Sequence, residues 1–379
     1  MIYLDNAATS FPKPEAVYRT VDHVLRNVGG NAGRGGHRLA LEAARVIFEA
    51  RESLARLIRV SDSARIVFTK NATESINLAV KGLGLKADDG VVSTTFEHNS
   101  LAKAVGGLSD RGITVTLLAP DNEGFLSLTE IEKAIRGGGV RLLAISHASN
   151  VFGTIADIEA IGRLCRKNNV IFMVDAAQTT GALSLDVSAM NIDILASTGH
   201  KSLFGPQGTG FLYVREGIEL MPLLEGGTGD AASVLEMPER LEAGTLNTPG
   251  LAGLAAGVDF VLNTGIDKIR AHEAALMEQL MDGLNSIKGC TIIGPEKASE
   301  RVSLITFNIK GLYPVPTGLE LDNDYSIMVR CGTHCSPQAH STAGTLPEGG
   351  IRVSPGFFTK QADIEELLRA LRTIVRDRC

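Results

Sequence analysis

Residues 142–175 read LLAISHASNVFGTIADIEAIGRLCRKNNVIFMVD, and this stretch decides the fold class. It opens on a short apolar run, Leu142–Ser146, and closes on another, Ile171–Val174. Between them Ile158, Ile161, Leu164 and Cys165 recur at three- and four-residue spacing over Ile158–Lys167, the mark of a helix with one apolar face. Two apolar strands joined by an amphipathic helix make a βαβ unit, which requires a parallel sheet covered by helices on both faces.

The same alternation extends outward in both directions. Candidate strands are Arg65–Phe68, Val91–Thr94, Thr114–Leu118, Leu142–Ser146, Ile171–Val174, Ile192–Ala196 and Gly210–Val214. Helical patterns fall between them at Ala40–Leu57, Glu74–Gly82, Leu101–Leu108, Leu128–Ile135 and Ile158–Lys167. The expectation is an α/β chain whose large domain, residues 15–250, holds a mainly parallel seven-stranded sheet between helices. After Thr248-Pro249-Gly250 the texture changes. One long helical region from Leu251 to about Ile287 leads into three or four short strands and a last amphipathic helix, Gln361–Arg376. These form a smaller α+β domain over 251–379, with the N-terminal segment 1–14 packing onto it.

Composition narrows the function. A chain of 379 residues with 44% apolar and 21% charged residues has material for a large core, and its net charge of −6 comes from interspersed acids and bases. With no basic block, neither nucleic acid nor an anionic membrane is an expected partner. The N-terminal MIYLDNAATSFPKPEAV places Asp5 and Lys13 where a secretory signal needs an apolar core, and no later stretch is apolar for the length of a membrane span. A cytoplasmic protein is expected. Cys165, Cys290, Cys331, Cys335 and Cys379 are odd in number and widely scattered, so free thiols are expected and one of them is a candidate nucleophile.

In open α/β sheets ligands gather at the carboxyl ends of strands. Polar residues follow the strand patterns at Thr69–Glu74, Glu97-His98-Asn99, Ser149-Asn150, Asp175–Gln178 and Ser197–Lys201. The Ala72-Thr73-Glu74 turn opens a helix. Its amides and the Thr73 hydroxyl suit a phosphate, and equally Thr73 or Asn71 is a simple N-cap. Asp175 at a strand end is placed to hold the proton of a ring nitrogen, or else to cap a turn. Lys201, between Gly199-His200 and Gly205-Pro206-Gln207-Gly208, has the constrained surroundings that lower an amine's pKa for nucleophilic attack, unless it is an ordinary surface lysine. Neither a dinucleotide glycine fingerprint nor a P-loop lysine motif is present. A phosphate cradle, a carboxylate for a pyridinium and an amine for an aldehyde are the groups that pyridoxal phosphate needs.

From Tyr3-Leu4-Asp5-Asn6-Ala7-Ala8-Thr9 to Ile351-Arg352-Val353-Ser354 the chain resembles the cysteine desulfurase and selenocysteine lyase family, within class V of the fold-type I pyridoxal-phosphate enzymes. The resemblance implies that Lys201 forms the Schiff base, Asp175 pairs with the pyridine nitrogen, Gln178 bonds the phenolic oxygen and His98 stacks on the ring and handles protons. It makes Ala72, Thr73, Thr198 and His200 phosphate binders. Thr245, in Glu242–Thr248, then reaches the phosphate held by a neighbouring subunit, which implies a homodimer. Asn150 lies near the substrate carboxylate, and Arg352 grips it through two parallel hydrogen bonds.

The segment Arg330-Cys331-Gly332-Thr333-His334-Cys335 resembles the family loop that ends in the nucleophilic cysteine, with Cys331 and Thr333 departing from the usual threonine and histidine. L-cysteine is then the substrate, alanine the product, and a persulfide on Cys335 the sulfur carrier for an acceptor thiol or protein. Selenocysteine lyase, a class V aminotransferase and a non-catalytic pyridoxal-phosphate-binding partner protein are the rivals. A metal site from Cys331, His334, Cys335 and His340 is a further alternative, although the spacing is not a usual zinc pattern and no metal is expected.

Overall fold

The computed structural model describes residues 1–33, 35–136, 138–227 and 236–378. A short strand β1 (Ile2–Tyr3) and two helices, α1 (Glu15–Asn27) and α2 (Arg38–Ile58), precede the main sheet. That sheet takes β2 (Ile66–Thr69), β3 (Gly90–Thr94), β4 (Thr114–Leu118), β5 (Val140–Ser146), β6 (Ile171–Asp175), β7 (Ile194–Thr198) and β8 (Gly210–Val214) in the spatial order β2-β8-β7-β6-β5-β3-β4. Only β8 runs against the others, pairing antiparallel with both β2 and β7. Helices α3 (Ala72–Gly82), α4 (Asn99–Gly106), α5 (Leu128–Arg136) and α6 (Ile158–Lys167) make the crossovers.

Both sheet faces are buried. Leu143 and Ile145 of β5, Phe172 and Val174 of β6, and Phe211 and Tyr213 of β8 enter one core, while their neighbours Leu142, Ala144, Met173, Leu212 and Val214 enter the other. A strand covered on both sides has no polar face, which is why these segments read as continuous apolar runs. Each large side chain so buried contributes roughly 1.5–3 kcal/mol. The carboxyl ends of β2, β3, β5, β6 and β7 share one edge, and that edge carries the site.

Two elements differ from the sequence pattern. Strand β7 starts at Ile194, not Ile192, because the Ile192 amide turns back to the Val187 carbonyl and the Asp193 amide to that of Phe172. The expected long helix is two, α7 (Thr248–Thr264) and α8 (Ile266–Asn285), meeting at an 82° bend. Gly265 makes the break: at φ 89° it is in a region that favours glycine, and its amide closes α7 on the Val261 carbonyl. Among the described residues no single helix is long and apolar enough to cross a membrane.

The smaller domain builds its own core around β9 (Cys290–Ile293), β10 (Ile305–Ile309), α9 (Pro314–Tyr325), β11 (Ile327–Met328), β12 (Arg330–Gly332), β13 (Gly350–Val353) and α11 (Gln361–Arg378), while α10 (Pro337–Thr342) packs its Ala339 apart from it, against Phe96, Val151 and Phe152. Its sheet has the order β12-β13-β10-β9, all antiparallel. Met277 and Leu280 of α8, Phe307, Ile351, Val353 and Leu367 pack beneath it. The N-terminal segment ties the two domains together. Strand β1 pairs with β11 and Leu4 enters the smaller core, while Thr9 and Ser10 bond to the His200 carbonyl of the larger domain.

Candidate active site

A cavity of about 200 Å³ opens at the carboxyl edge of the main sheet, and it gathers residues from every candidate segment. Ala72, Thr73, His98, Asn150, Asp175, Gln178, Thr198, His200, Lys201 and Arg352 all line it. Thr245 and Cys335 do not.

Asp175 ends β6, buried, and its Oδ1 accepts the Ala177 amide at 2.9 Å. Burial raises its pKa, against the pull of that amide and of Lys201. Lys201 faces the same space. Burial brings its amine down from 10.5 to about 8 although Asp175 draws it upward, so an uncharged, nucleophilic form is within reach near neutrality. The backbone around Lys201 is fixed from two sides. Gly199 bonds to the Thr209 carbonyl, and a side chain there would meet Thr209 Oγ1 at 2.2 Å. The His200 carbonyl accepts from the Ser10 amide at 3.0 Å and the Thr9 hydroxyl at 3.1 Å, with Lys13 Nζ at 3.4 Å.

The other end of the cavity is built for an anion. Asn71 caps α3 through Glu74 N at 2.9 Å, so the cap is not Thr73. The Thr73 hydroxyl and the amides of Ala72 and Thr73 are thereby left for a ligand. Buried Thr198 and half-buried His200 stand beside them, and the buried His200 Nδ1 has no partner. Burial, with Lys201 and Lys13 nearby, holds His200 down at about 4, so it is neutral. His98 both caps α4 and faces the cavity. Its Nδ1 accepts the Ser100 amide at 3.1 Å, which puts the proton on Nε2, and burial together with Lys201, Arg330 and Arg352 holds it at about 4. Gln178 donates to the Ala7 carbonyl at 3.2 Å.

Two arginines enter from the smaller domain. Arg330 on β12 and Arg352 on β13 are direct cross-strand partners, so they share a face, the one opposite Ile351 and Val353. Arg352 is 1% exposed, donates to Asp5 Oδ1 at 2.9 Å and the Asn150 carbonyl at 3.2 Å, and leaves its Nε without a partner. A buried guanidinium with a free donor is a site prepared for a further carboxylate.

Cys335 is exposed at the mouth of the site, with the Arg330 guanidinium 3.2 Å from its sulfur. Its loop is tied down at each residue. His334 and Cys335 both take left-handed backbone angles, φ 52° and 59°. The Asn150 side chain donates to the His334 carbonyl at 2.8 Å, the Asn99 amide to the Cys335 carbonyl at 2.8 Å, and Ser336 Oγ to Asn150 Oδ1 at 2.7 Å. Beneath runs a buried chain: His340 Nδ1 to Thr345 Oγ1 at 2.7 Å, His340 Nε2 to His334 Nδ1 at 2.9 Å, and His334 Nε2 to the Arg330 carbonyl at 3.2 Å. A carbonyl only accepts, so each imidazole carries its proton on Nε2 and Thr345 donates at the far end. Burial and Arg352 keep both rings neutral, His334 at about 2 and His340 at about 4.

Cys331 belongs to packing. Its sulfur lies where a side chain on Gly318 of α9 would meet it at 2.4 Å, and burial pushes its thiol up to about 12. Cys165, Cys290, Cys331 and Cys335 are free thiols, while Cys379 is outside the described residues. Cys331, His334, Cys335 and His340 do not converge, and no metal-holding group of His, Cys, Asp or Glu occurs among the described residues. Thr245 is exposed, with Asn31 Nδ2 at 3.3 Å from its hydroxyl.

Three residues lie in segments that the sequence singles out, but their part in the site shows only in the structure. Asp5 engages Arg352, Arg330 meets the thiol, and Glu97 is buried beneath the cavity on the Ser146 amide at 2.9 Å. Burial raises Glu97 to about 7 against its bonds to Ser146 and Thr94, so its carboxyl changes charge around neutrality.

The aminotransferase class-V family matches residues 2–367. A "probable cysteine desulfurase" of Methanothermobacter thermautotrophicus is 35% identical over 387 residues, covering 98% of this chain and 94% of the relative. The apo cysteine desulfurase of Thermococcus onnurineus NA1 superposes with a TM-score of 0.94 at 35% identity, over 99% of this chain and 95% of that one. The S-sulfonic acid form of cysteine desulfurase CsdA of Escherichia coli gives 0.89 at 26%, over 100% and 95%. The doubly covered sheet, the strand-end cavity and the likeness along the whole chain lead to one conclusion: this chain belongs to the aminotransferase class-V family, together with its cysteine desulfurases.

Proposed function

We propose that the chain is a pyridoxal-phosphate-dependent cysteine desulfurase that converts L-cysteine to L-alanine and leaves the sulfur on Cys335. One observation carries this reading: Lys201, Asp175 and an arginine with a free donor converge on one cavity, and a thiol beside a guanidinium stands at its mouth.

The cavity fits the cofactor. Asp175 would hold the pyridine nitrogen, Lys201 the aldehyde carbon, Gln178 the phenolic oxygen, and Ala72, Thr73, Thr198 and His200 the phosphate, with His98 against the ring. The orphaned His200 Nδ1 and the uncapped Ala72 and Thr73 amides are the features that a phosphate would satisfy. When bound, the cofactor supplies an electron sink for the bonds at the substrate Cα. The exposed Thr245 would complete the phosphate end of a second copy in a homodimer.

The chain's own residues then divide the work. Arg352 and Asn150 orient the substrate carboxylate. Lys201, whose depressed pKa makes its uncharged amine accessible, takes the Cα proton. Arg330 stabilises the Cys335 thiolate, which attacks the substrate sulfur as the carbon–sulfur bond breaks toward carbon. Protons returned to carbon, from Lys201 and from the His98 side, complete alanine. The balance is cysteine plus thiol giving alanine plus persulfide, with no outside oxidant. The test is product analysis with L-cysteine and a reductant: equimolar alanine and sulfide support the reading. Pyruvate, or an amine moved to a keto acid, would assign aminotransferase-type chemistry instead.

A further inference from the structure

Cys335 does not line the cofactor cavity, but it does line a second groove of about 610 Å³. Thr73, His98 and Ser100 border both spaces. From the thiol this groove follows α3 and α4. Thr73, Asn77 and Lys81 recur every four residues and so share one face of α3, while Ser100, Lys103, Ala104 and Gly107 do so on α4, with Arg111 beyond. Small Ala104 and Gly107 leave the space, and the charged side chains that line it are Lys81, Lys103 and Arg111. No carboxylate lines it, and among the described residues none of the three is paired with one. In a chain of net charge −6 this is a local reversal of sign. Lys81 and Lys103 also suit the dipoles of their helices, being in the last turns, but that accounts for neither the groove nor the thiol at its head.

We propose that this groove is the sulfur exit, and that it takes a small anionic thiol whose carboxylates settle on Lys81, Lys103 and Arg111. The inference rests on the desulfurase reading above. The acceptor thiolate attacks the terminal sulfur of the Cys335 persulfide, a new sulfur–sulfur bond forms, and the old one breaks with its electron pair returning to Cys335 Sγ. Arg330 receives that charge, and the acceptor leaves as its own persulfide with no net oxidation. The groove is of small-molecule size, roughly 300–1,000 Å³, which favours a free thiol over a protein surface as occupant.

The test loads the holoenzyme with one turnover of L-cysteine, counts the alanine burst, removes excess substrate and then adds acceptors of graded charge. Mercaptosuccinate, 3-mercaptopropionate, 2-mercaptoethanol and cysteamine are compared by the rate at which Cys335 loses its extra sulfur, each referred to its thiolate concentration and corrected for thiolate basicity. At low salt each added carboxylate is expected to speed transfer about fivefold, an advantage that fades as salt is raised. The Lys81→Glu, Lys103→Glu double variant should keep the alanine burst and lose the ranking. A normal burst followed by charge-blind transfer, or a ranking that survives the double variant, overturns the inference alone and points to a protein acceptor. A missing burst overturns the desulfurase reading and this inference with it.

Discussion

Replacing Arg352 by lysine tests how the substrate is held. The side chain is buried, gives one donor to Asp5 and one to the Asn150 carbonyl, and keeps Nε free. A substrate carboxylate would take Nε and share or displace the Asp5 contact. Lysine keeps the charge but not the planar fork, so one charge-assisted hydrogen bond is lost, worth about 1.5–3 kcal/mol. That is a rise of about 10- to 150-fold in KM for L-cysteine, with kcat within about threefold if the contact is equal in ground and transition states. The assay is alanine release against L-cysteine concentration. Asp5→Asn, by removing the competing carboxylate, should lower KM in the native background and have a smaller effect beside Arg352→Lys. An unchanged KM in Arg352→Lys, or a loss falling wholly on kcat, would refute the carboxylate-binding role.

Three further outcomes follow from the titrating groups. Because Lys201 is held near 8, capture of pyridoxal phosphate by the apo chain should quicken with pH up to about 8 and then level off, as stopped-flow absorbance would show; an ordinary lysine would keep accelerating toward 10.5. Glu97 is raised from 4.5 to about 7, so the folded chain binds the extra proton between these values and bears the cost of a buried carboxylate above them. Glu97→Gln, which mimics the neutral form, should therefore gain stability on the native chain as pH rises through that window, by at most about 3 kcal/mol in denaturant titrations. His340→Phe leaves His334 Nδ1 without its donor, at about 1–3 kcal/mol. It should slow sulfur loading of Cys335 while cofactor uptake is unchanged, and His340→Gln should restore part of the rate.

Much of this was legible in the sequence because local physics decides it. Strands β5 and β6 are apolar on both faces and cannot be anything but interior strands, so Asp175 at the end of one is necessarily at the sheet edge. Lys201 is placed by the same logic after β7. What sequence pattern could not supply was pairing across the chain. Asp5 meets Arg352 only because β1 joins β11 and the next residues run along β13, through the Asp5–Ser354 bridge. Arg330 was visible as the first residue of the Cys335 segment, but its aim depends on its register against Arg352. His340 looked like a possible metal ligand; its bond to His334 instead closes the loop on itself. The break at Gly265 had a local signal, a Thr-Gly pair at the end of a helical run, that the continuous apolar periodicity on either side concealed.

The most direct test of the central claim is one turnover of L-cysteine, without reductant, on the native chain and on Cys335→Ala. The account predicts one alanine per native chain and one extra sulfur found by mass spectrometry on the peptide bearing Cys335. It predicts that Cys335→Ala still perturbs the cofactor's absorbance on adding L-cysteine yet yields no alanine. Alanine at the native level from Cys335→Ala, or sulfur lodged on Cys331 in the native chain, would contradict it.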